Sequence, residues 1–161
     1  MKALTASAGT QVSQLRLGRM VGAIAAQPAS WREIVRFDAG RRWYHRLDLT
    51  DEYEVWLLSW LPGQHTGFHD HGEAVGAFAV AQGRLGERTV PAVRPRARNR
   101  TFAAGAIRPF GAGHVHDMVN ASAGPAVSVH AYSPPLTAMR RYELNPAGLV
   151  YTSTEHAELN W

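Results

Sequence analysis

Residues Trp60–Gly83, WLPGQHTGFHDHGEAVGAFAVAQG, decide how the rest of the chain is read. His69 and His71 stand one residue apart, and residues i and i+2 of a β-strand point to the same face. Their imidazoles can therefore reach one point in space without distorting the backbone. Neutral imidazole is the commonest side-chain ligand of transition metals. A His-x-His pair arises by chance on many strands, so its setting carries the weight. The apolar run Val55–Leu61 feeds in, Pro62 and Gly63 turn the chain, Gly72 follows the pair, and the apolar run Ala77–Ala81 leads out. This pattern predicts a hairpin with two ligands near its mouth.

Strand grammar extends on both sides of that segment. Candidate strands are 42–49, 53–61, 76–82, 86–93, 101–110, 115–120, 125–133, 139–144 and 149–152, with Gly, Pro, Asn or Asp at nearly every junction. Many short strands at this spacing predict an all-β sandwich or barrel. The preceding region differs. Val12, Leu15, Met20 and Ile24 recur at near-helical spacing and predict an amphipathic helix over 12–26, ended by Pro28. Ser30-Trp-Arg-Glu33 has the form of a capping box and predicts a short second helix to about Phe37. Both helices are expected to cover one end of a sheet.

At 161 residues the chain is long enough to bury about two-thirds of its unfolded surface in one core. No repeat or linker divides it, so a single domain over 1–161 is expected, with a helical cover at 1–38, a barrel at 41–153 and a tail at 154–161. No run is long enough to span a bilayer. No sustained apolar segment follows Met1-Lys2 before Gln11, so no signal peptide is expected and the location expected is cytoplasmic. The absence of cysteine excludes disulfides, thiolate metal sites and a cysteine nucleophile. The net charge of +4 invites a nucleic-acid reading. Its densest cluster, Arg94, Arg96, Arg98 and Arg100, has no interleaved aromatics and reads as a solvated hairpin tip, so neither a nucleic acid nor a membrane is an expected partner.

A three-histidine site needs one more imidazole, and the candidates are His45, His65, His114, His116, His130 and His156. His114 and His116 form a second His-x-His pair. The spacing Gly63-x5-His69-x-His71-x4-Gly76-x6-Gly83 closely resembles the first cupin motif, with Gly76 where that motif usually has glutamate. Pro109-x-Gly111 to His116-x3-Asn120 resembles the second, with two extra residues before the histidine. Within the cupins, 43–135 most resembles the bacterial cysteine dioxygenase family of thiol dioxygenases. On that resemblance His69, His71 and His116 are the metal ligands. Ser128, His130 and Tyr132 are a supporting relay, which also alternate on one strand and share a face. Tyr44 and Arg46 form the Tyr-x-Arg that grips a substrate carboxylate. Ser133-Pro134-Pro135 matches a segment with a cis peptide in the family. Mammalian members carry a cysteine, joined to the active-site tyrosine as a thioether, where this chain has Gly76; bacterial members commonly have glycine there.

The resemblance implies a small jelly-roll antiparallel β-barrel with short N-terminal helices, a monomer or weak homo-oligomer. It implies Fe(II) as cofactor and a small thiol and O2 as substrates. The expected reaction adds both oxygen atoms to the sulfur of L-cysteine and yields the sulfinate. Relatives that prefer 3-mercaptopropionate usually carry glutamine where this chain has Arg46, so Arg46 points to cysteine. Other readings remain open on the residues alone: another small thiol, a non-enzymatic metal-binding sensor, or a zinc or manganese isomerase or decarboxylase, since three imidazoles suit several metals.

Overall fold

The computed structural model describes residues 11–91 and 96–156; Arg94 and residues 157–161 of the expected tail lie outside them. A single α-helix, α1 (Gln14–Ala25), opens the described chain. Eleven strands follow among the described residues: β1 (Trp43–Leu49), β2 (Glu54–Trp60), β3 (Phe68–His69), β4 (Val75–Gln82), β5 (Arg84–Thr89), β6 (Arg98–Ala103), β7 (Ile107–Phe110), β8 (His116–Val119), β9 (Ala126–Ser133), β10 (Ala138–Asn145) and β11 (Gly148–His156). They form two antiparallel sheets, ordered β1-β2-β9-β4-β7 and β11-β10-β3-β8-β5-β6. This is the jelly-roll arrangement of the cupins, with the two sheets facing each other and no closed barrel. No helix among the described residues is long and apolar enough to cross a membrane.

The middle strands of the first sheet are buried on both faces, which is why β2 reads as a nearly unbroken apolar run, whereas β9 buries the polar Ser128, His130 and Ser133 among apolar residues. Side-chain alternation divides them between two cores. Trp56, Leu58, Trp60, Phe78, Val80 and Tyr132 point between the sheets and meet Leu85, Phe102 and Met118 of the second sheet. Val55, Leu57, Ala77, Ala79, Val127, Val129 and Ala131 point outward and are covered by Leu17, Val21 and Ala25 of α1 and by Trp31. Leu17 and Val21 are fully buried there, a burial that contributes about 1.5–3 kcal/mol for each side chain. The helix starts where the Ser13 hydroxyl accepts the Arg16 amide proton. It lies so close to β7 that a Cβ at Gly22 would collide with Ile107.

Four expectations need correction. The apolar runs flanking the His-x-His pair are not a hairpin: β9 inserts between β2 and β4 and pairs with both. The second helix is absent. A 3-10 turn at Pro28–Ser30 stands there instead, and Ser30 donates to the carbonyls of Ile24 and Gln27 rather than reciprocating with Glu33. The expected strand 101–110 is two strands in different sheets, broken at Gly105, whose φ of +88° glycine adopts without strain. His156, expected in a tail, ends β11. The two-residue β3 gave no sequence signal of its own.

Candidate metal centre

Three imidazoles converge between the sheets. His69 closes β3 and pairs in register with His116, the first residue of β8. His71 follows two residues later on the path to β4. The ring centroids lie 4.8 Å apart for His69–His71 and for His69–His116, and 5.2 Å apart for His71–His116. One nitrogen from each lies within 4.8 Å of the others. All three rings are buried. Burial, and then mutual repulsion among the rings, lowers the pKa of His69 and His71 well below the usual histidine value, and burial lowers that of His116. The rings are thereby held neutral, the form that offers a lone pair to a metal.

Hydrogen bonds choose which nitrogen is offered. The Gly67 carbonyl can only accept, so His69 Nδ1 donates to it at 2.9 Å and Nε2 is left free. The Glu87 carboxylate takes His116 Nδ1 at 3.0 Å, and His116 Nε2 is buried without a partner. Both nitrogens of His71 are also buried without partners. Unpaired buried nitrogens of this kind are costly unless a ligand satisfies them. A divalent transition-metal ion fits the donor set.

One carboxylate braces a ligand from behind, and two more lie next to the ligands in sequence. Glu87, on β5, also accepts from His114 Nε2 at 2.8 Å and Arg108 Nε at 3.2 Å. Burial pushes its carboxyl pKa up, but the bonds from His114 and His116 outweigh this and hold it well below the usual range. Asp70, between the two histidines of the pair, is buried and bonded to Tyr142, Arg140 and the Gly72 amide. Asp117 takes Arg88 and Thr66 beside His116. These supports were not singled out from the sequence. The available signal was an acid adjacent to each ligand, as in His69-Asp70-His71 and His116-Asp117. His114 thus braces Glu87, and the second cluster of Glu87, His114 and His116 is knit by its own hydrogen bonds.

Beside the imidazoles lies a cavity with about 60 Å³ of accessible space, walled in part by Tyr44, Trp56, His69, His116, His130 and Tyr132. Behind Tyr132 runs a chain of polar groups on the inward face of β9. Trp60 Nε1, which can only donate, gives its proton to Ser128 Oγ at 2.9 Å. Ser128 Oγ and His130 Nε2 are 2.9 Å apart, within hydrogen-bond distance. Burial pushes the His130 pKa down to about 3, so the ring is neutral, and its Nδ1 lies 3.4 Å from the Tyr132 oxygen. Burial, with Glu54 nearby, pushes the Tyr132 phenol above its usual range. The phenol is therefore neutral, in the wall of the cavity. Trp60, which donates into this chain of groups, lay outside the expected relay.

Because His130 takes a proton near pH 6.5 when unfolded, the unfolded chain binds the extra proton below that value. Stability of the metal-free protein then falls as pH drops from about 6.5 toward 3, by about 1.4 kcal/mol per pH unit for this group. Urea unfolding of the wild type and of His130→Asn at pH 7 and pH 5.5 checks this: the wild type loses more stability over the interval. Equal losses would mean that the ring is not held neutral.

The other expected residues fall as follows. Tyr44 packs edge-on against Trp56 with centroids 5.9 Å apart. Arg46 does not line the cavity; its Nη1 lies 3.9 Å from the buried Glu54 carboxylate and its guanidinium sits over Trp56. His45 is exposed and stacks on Trp43, while His65 lies 3.7 Å from Asp117. The Ser133–Pro134 bond is cis. The position of the mammalian cysteine, Gly76, is cross-strand neighbour to Tyr132, and a Cβ there would sit 2.5 Å from the Phe110 ring. That ring is itself wedged against His71, His114 and His116.

A family model described as cysteine dioxygenase type I matches residues 8–145. Among solved structures, the chain is similar to an uncharacterised Klebsiella pneumoniae protein with a double-stranded β-helix domain, at 21% identity and a TM-score of 0.57, over 76% of this chain and 93% of that one. It is similar at 20% identity and a TM-score of 0.57 to the TT1209 protein of Thermus thermophilus, over 65% of this chain and 93% of that one. A cupin superfamily protein of Desulfitobacterium hafniense matches at 10% identity with a TM-score of 0.54, over 64% of this chain and 86% of that one.

Proposed function

The chain belongs to the cysteine dioxygenase type I family, and on that premise we propose that it oxidises a small thiol, L-cysteine first among them, with O2 to the sulfinate. Both atoms of O2 end on the sulfur, so R–SH and O2 become R–SO2H with nothing left over. His69, His71 and His116 would hold Fe(II), which supplies the redox chemistry with dioxygen when bound. The observation that carries the reading is the pairing of three buried neutral imidazoles with an adjoining cavity that a neutral phenol lines.

The residues divide the work. Three uncharged ligands leave the cation's charge undiminished, which favours a thiolate over a thiol in the cavity. Tyr132 donates a hydrogen bond to the bound substrate, its orientation held by His130, Ser128 and Trp60. The apolar walls, Trp56, Leu58 and Met118, exclude water and keep the sulfur from competing reactions.

The test is a thiol panel with anaerobically iron-loaded protein, following oxygen uptake and sulfinate by mass spectrometry. Cysteine is expected to give stoichiometric sulfinate at the highest kcat/KM. One specific observation favours 3-mercaptopropionate as a second candidate: the arginine that tilts the sequence toward cysteine stands outside the cavity wall. Absence of oxygen uptake with every small thiol would leave a metal-binding sensor as the better account.

A further inference from the structure

The strand β1 and the residue before it carry two arginines of the same parity, Arg42 and Arg46, and the structure gives them different surroundings. Glu54 is almost fully buried, and its carboxylate accepts the Leu136 amide proton at 2.9 Å. Arg46 is the cation beside it, and the register of β1 on β2 slips just beyond Arg46. A buried carboxylate is costly without a nearby cation, and among the described residues Arg46 is the one within ion-pair distance of Glu54, at 3.9 Å.

Arg42 has no such partner. Among the described residues no carboxylate lies within 4.0 Å of its guanidinium. Its Nη1 reaches only the His65 carbonyl, at 3.5 Å, and its Nε is buried without a hydrogen-bond partner. The guanidinium lies over the Trp60 ring, 5.1 Å from its centroid, a cation–π contact. Arg42 lines the cavity together with Tyr44, His69 and Tyr132. Its charge is felt by Tyr132, His69 and His130, whereas that of Arg46 is felt by Glu54.

We infer that Arg42, rather than Arg46, meets the substrate carboxylate: a cation with an unpaired buried N–H, lying over Trp60 in the wall of the cavity, takes a small thiol that bears an acid group. This assignment rests on the thiol dioxygenase reading. The Nε edge of a guanidinium presents two parallel N–H groups, the match for a carboxylate. Arg46 serves the structure instead, as counter-ion to Glu54.

The experiment separates the two roles. Iron-loaded wild type, Arg42→Gln, Arg42→Lys and Arg46→Gln are titrated anaerobically with cysteine and with cysteamine, which has the same thiol and amine but no carboxylate. Iron content, thermal midpoint and oxygen uptake are recorded for each. The wild type is expected to prefer cysteine. Arg42→Gln should weaken cysteine about 10- to 100-fold while cysteamine changes by less than about twofold, as removal of a charge-assisted hydrogen-bond pair requires. Arg42→Lys should fall between, since the charge remains and the fork is lost. Arg46→Gln should keep the preference for cysteine and lower the thermal midpoint. Retained preference in both Arg42 variants, or its loss in Arg46→Gln, would overturn the assignment. A wild type that consumes oxygen with both thiols alike overturns the assignment and leaves the dioxygenase reading standing. A wild type that neither binds nor oxidises any thiol brings down both.

Discussion

Replacing His116 by alanine is expected to abolish metal retention. The ring is fully buried, its Nε2 has no partner within the protein, and its Nδ1 is tied to Glu87. Removing it takes away one of three neutral donors and leaves a buried carboxylate with one fewer hydrogen bond. Supporting residues around metal sites typically change affinity by about 10- to 100-fold, and loss of a ligand itself should exceed that, on the order of a thousandfold. After dialysis against chelator and reloading, elemental analysis should find less than about a tenth of the wild-type iron, and thiol-dependent oxygen uptake should vanish. His45→Ala is the matched comparison, since His45 is exposed and stacks on Trp43 away from the cavity. Full iron content in His116→Ala would mean that the three rings do not act as one site.

The second large effect is expected at Glu87. Glu87→Gln keeps the shape of the side chain and removes its charge. His116 Nδ1 then donates to a neutral amide, so the ring becomes a poorer base and its orientation is less firmly held. Metal affinity should fall about 10- to 100-fold. His114 and Arg108 lose the same acceptor charge, and breaking a buried ion pair costs about 3–5 kcal/mol, reduced here because Arg108 is partly exposed. A competitive chelator titration measures the first effect and urea unfolding of the metal-free protein the second. Affinity within about twofold of wild type would show that Glu87 is only a structural acid.

These two residues differ in how far the sequence announced them. His116 was legible because its spacing to Asn120 and its second-motif context mark it; His69 and His71 were legible as a pair, although β3 ends at His69 and His71 reaches the site from the loop beyond it rather than by strand alternation. The face of each residue on β9 was legible for a different reason: Ser128, His130 and Tyr132 alternate, and alternation encodes direction. Glu87 was not legible. Its partners are 21 to 29 positions away in sequence, and nothing local distinguishes a buried acid from an exposed one. Pairing between distant strands was hidden likewise, so two apolar runs adjacent in sequence looked like a hairpin when β9 belonged between them. Arg42 and Arg46 share one parity, so alternation could not choose between them; the distinction lies in Glu54 beside Arg46 and the cavity beside Arg42. The second helix failed because the Ser30 hydroxyl had nearer carbonyls to satisfy at the end of α1 than an amide to accept.

The close approach of the Phe110 ring to Gly76 bears on how such sites diversify. Installing a sulfur at position 76 would push an aromatic ring into the histidines it is wedged against, at a cost of about 1–3 kcal/mol for an overpacked core. A cysteine at position 76 would therefore fit with less strain beside a smaller residue at position 110 than beside Phe110.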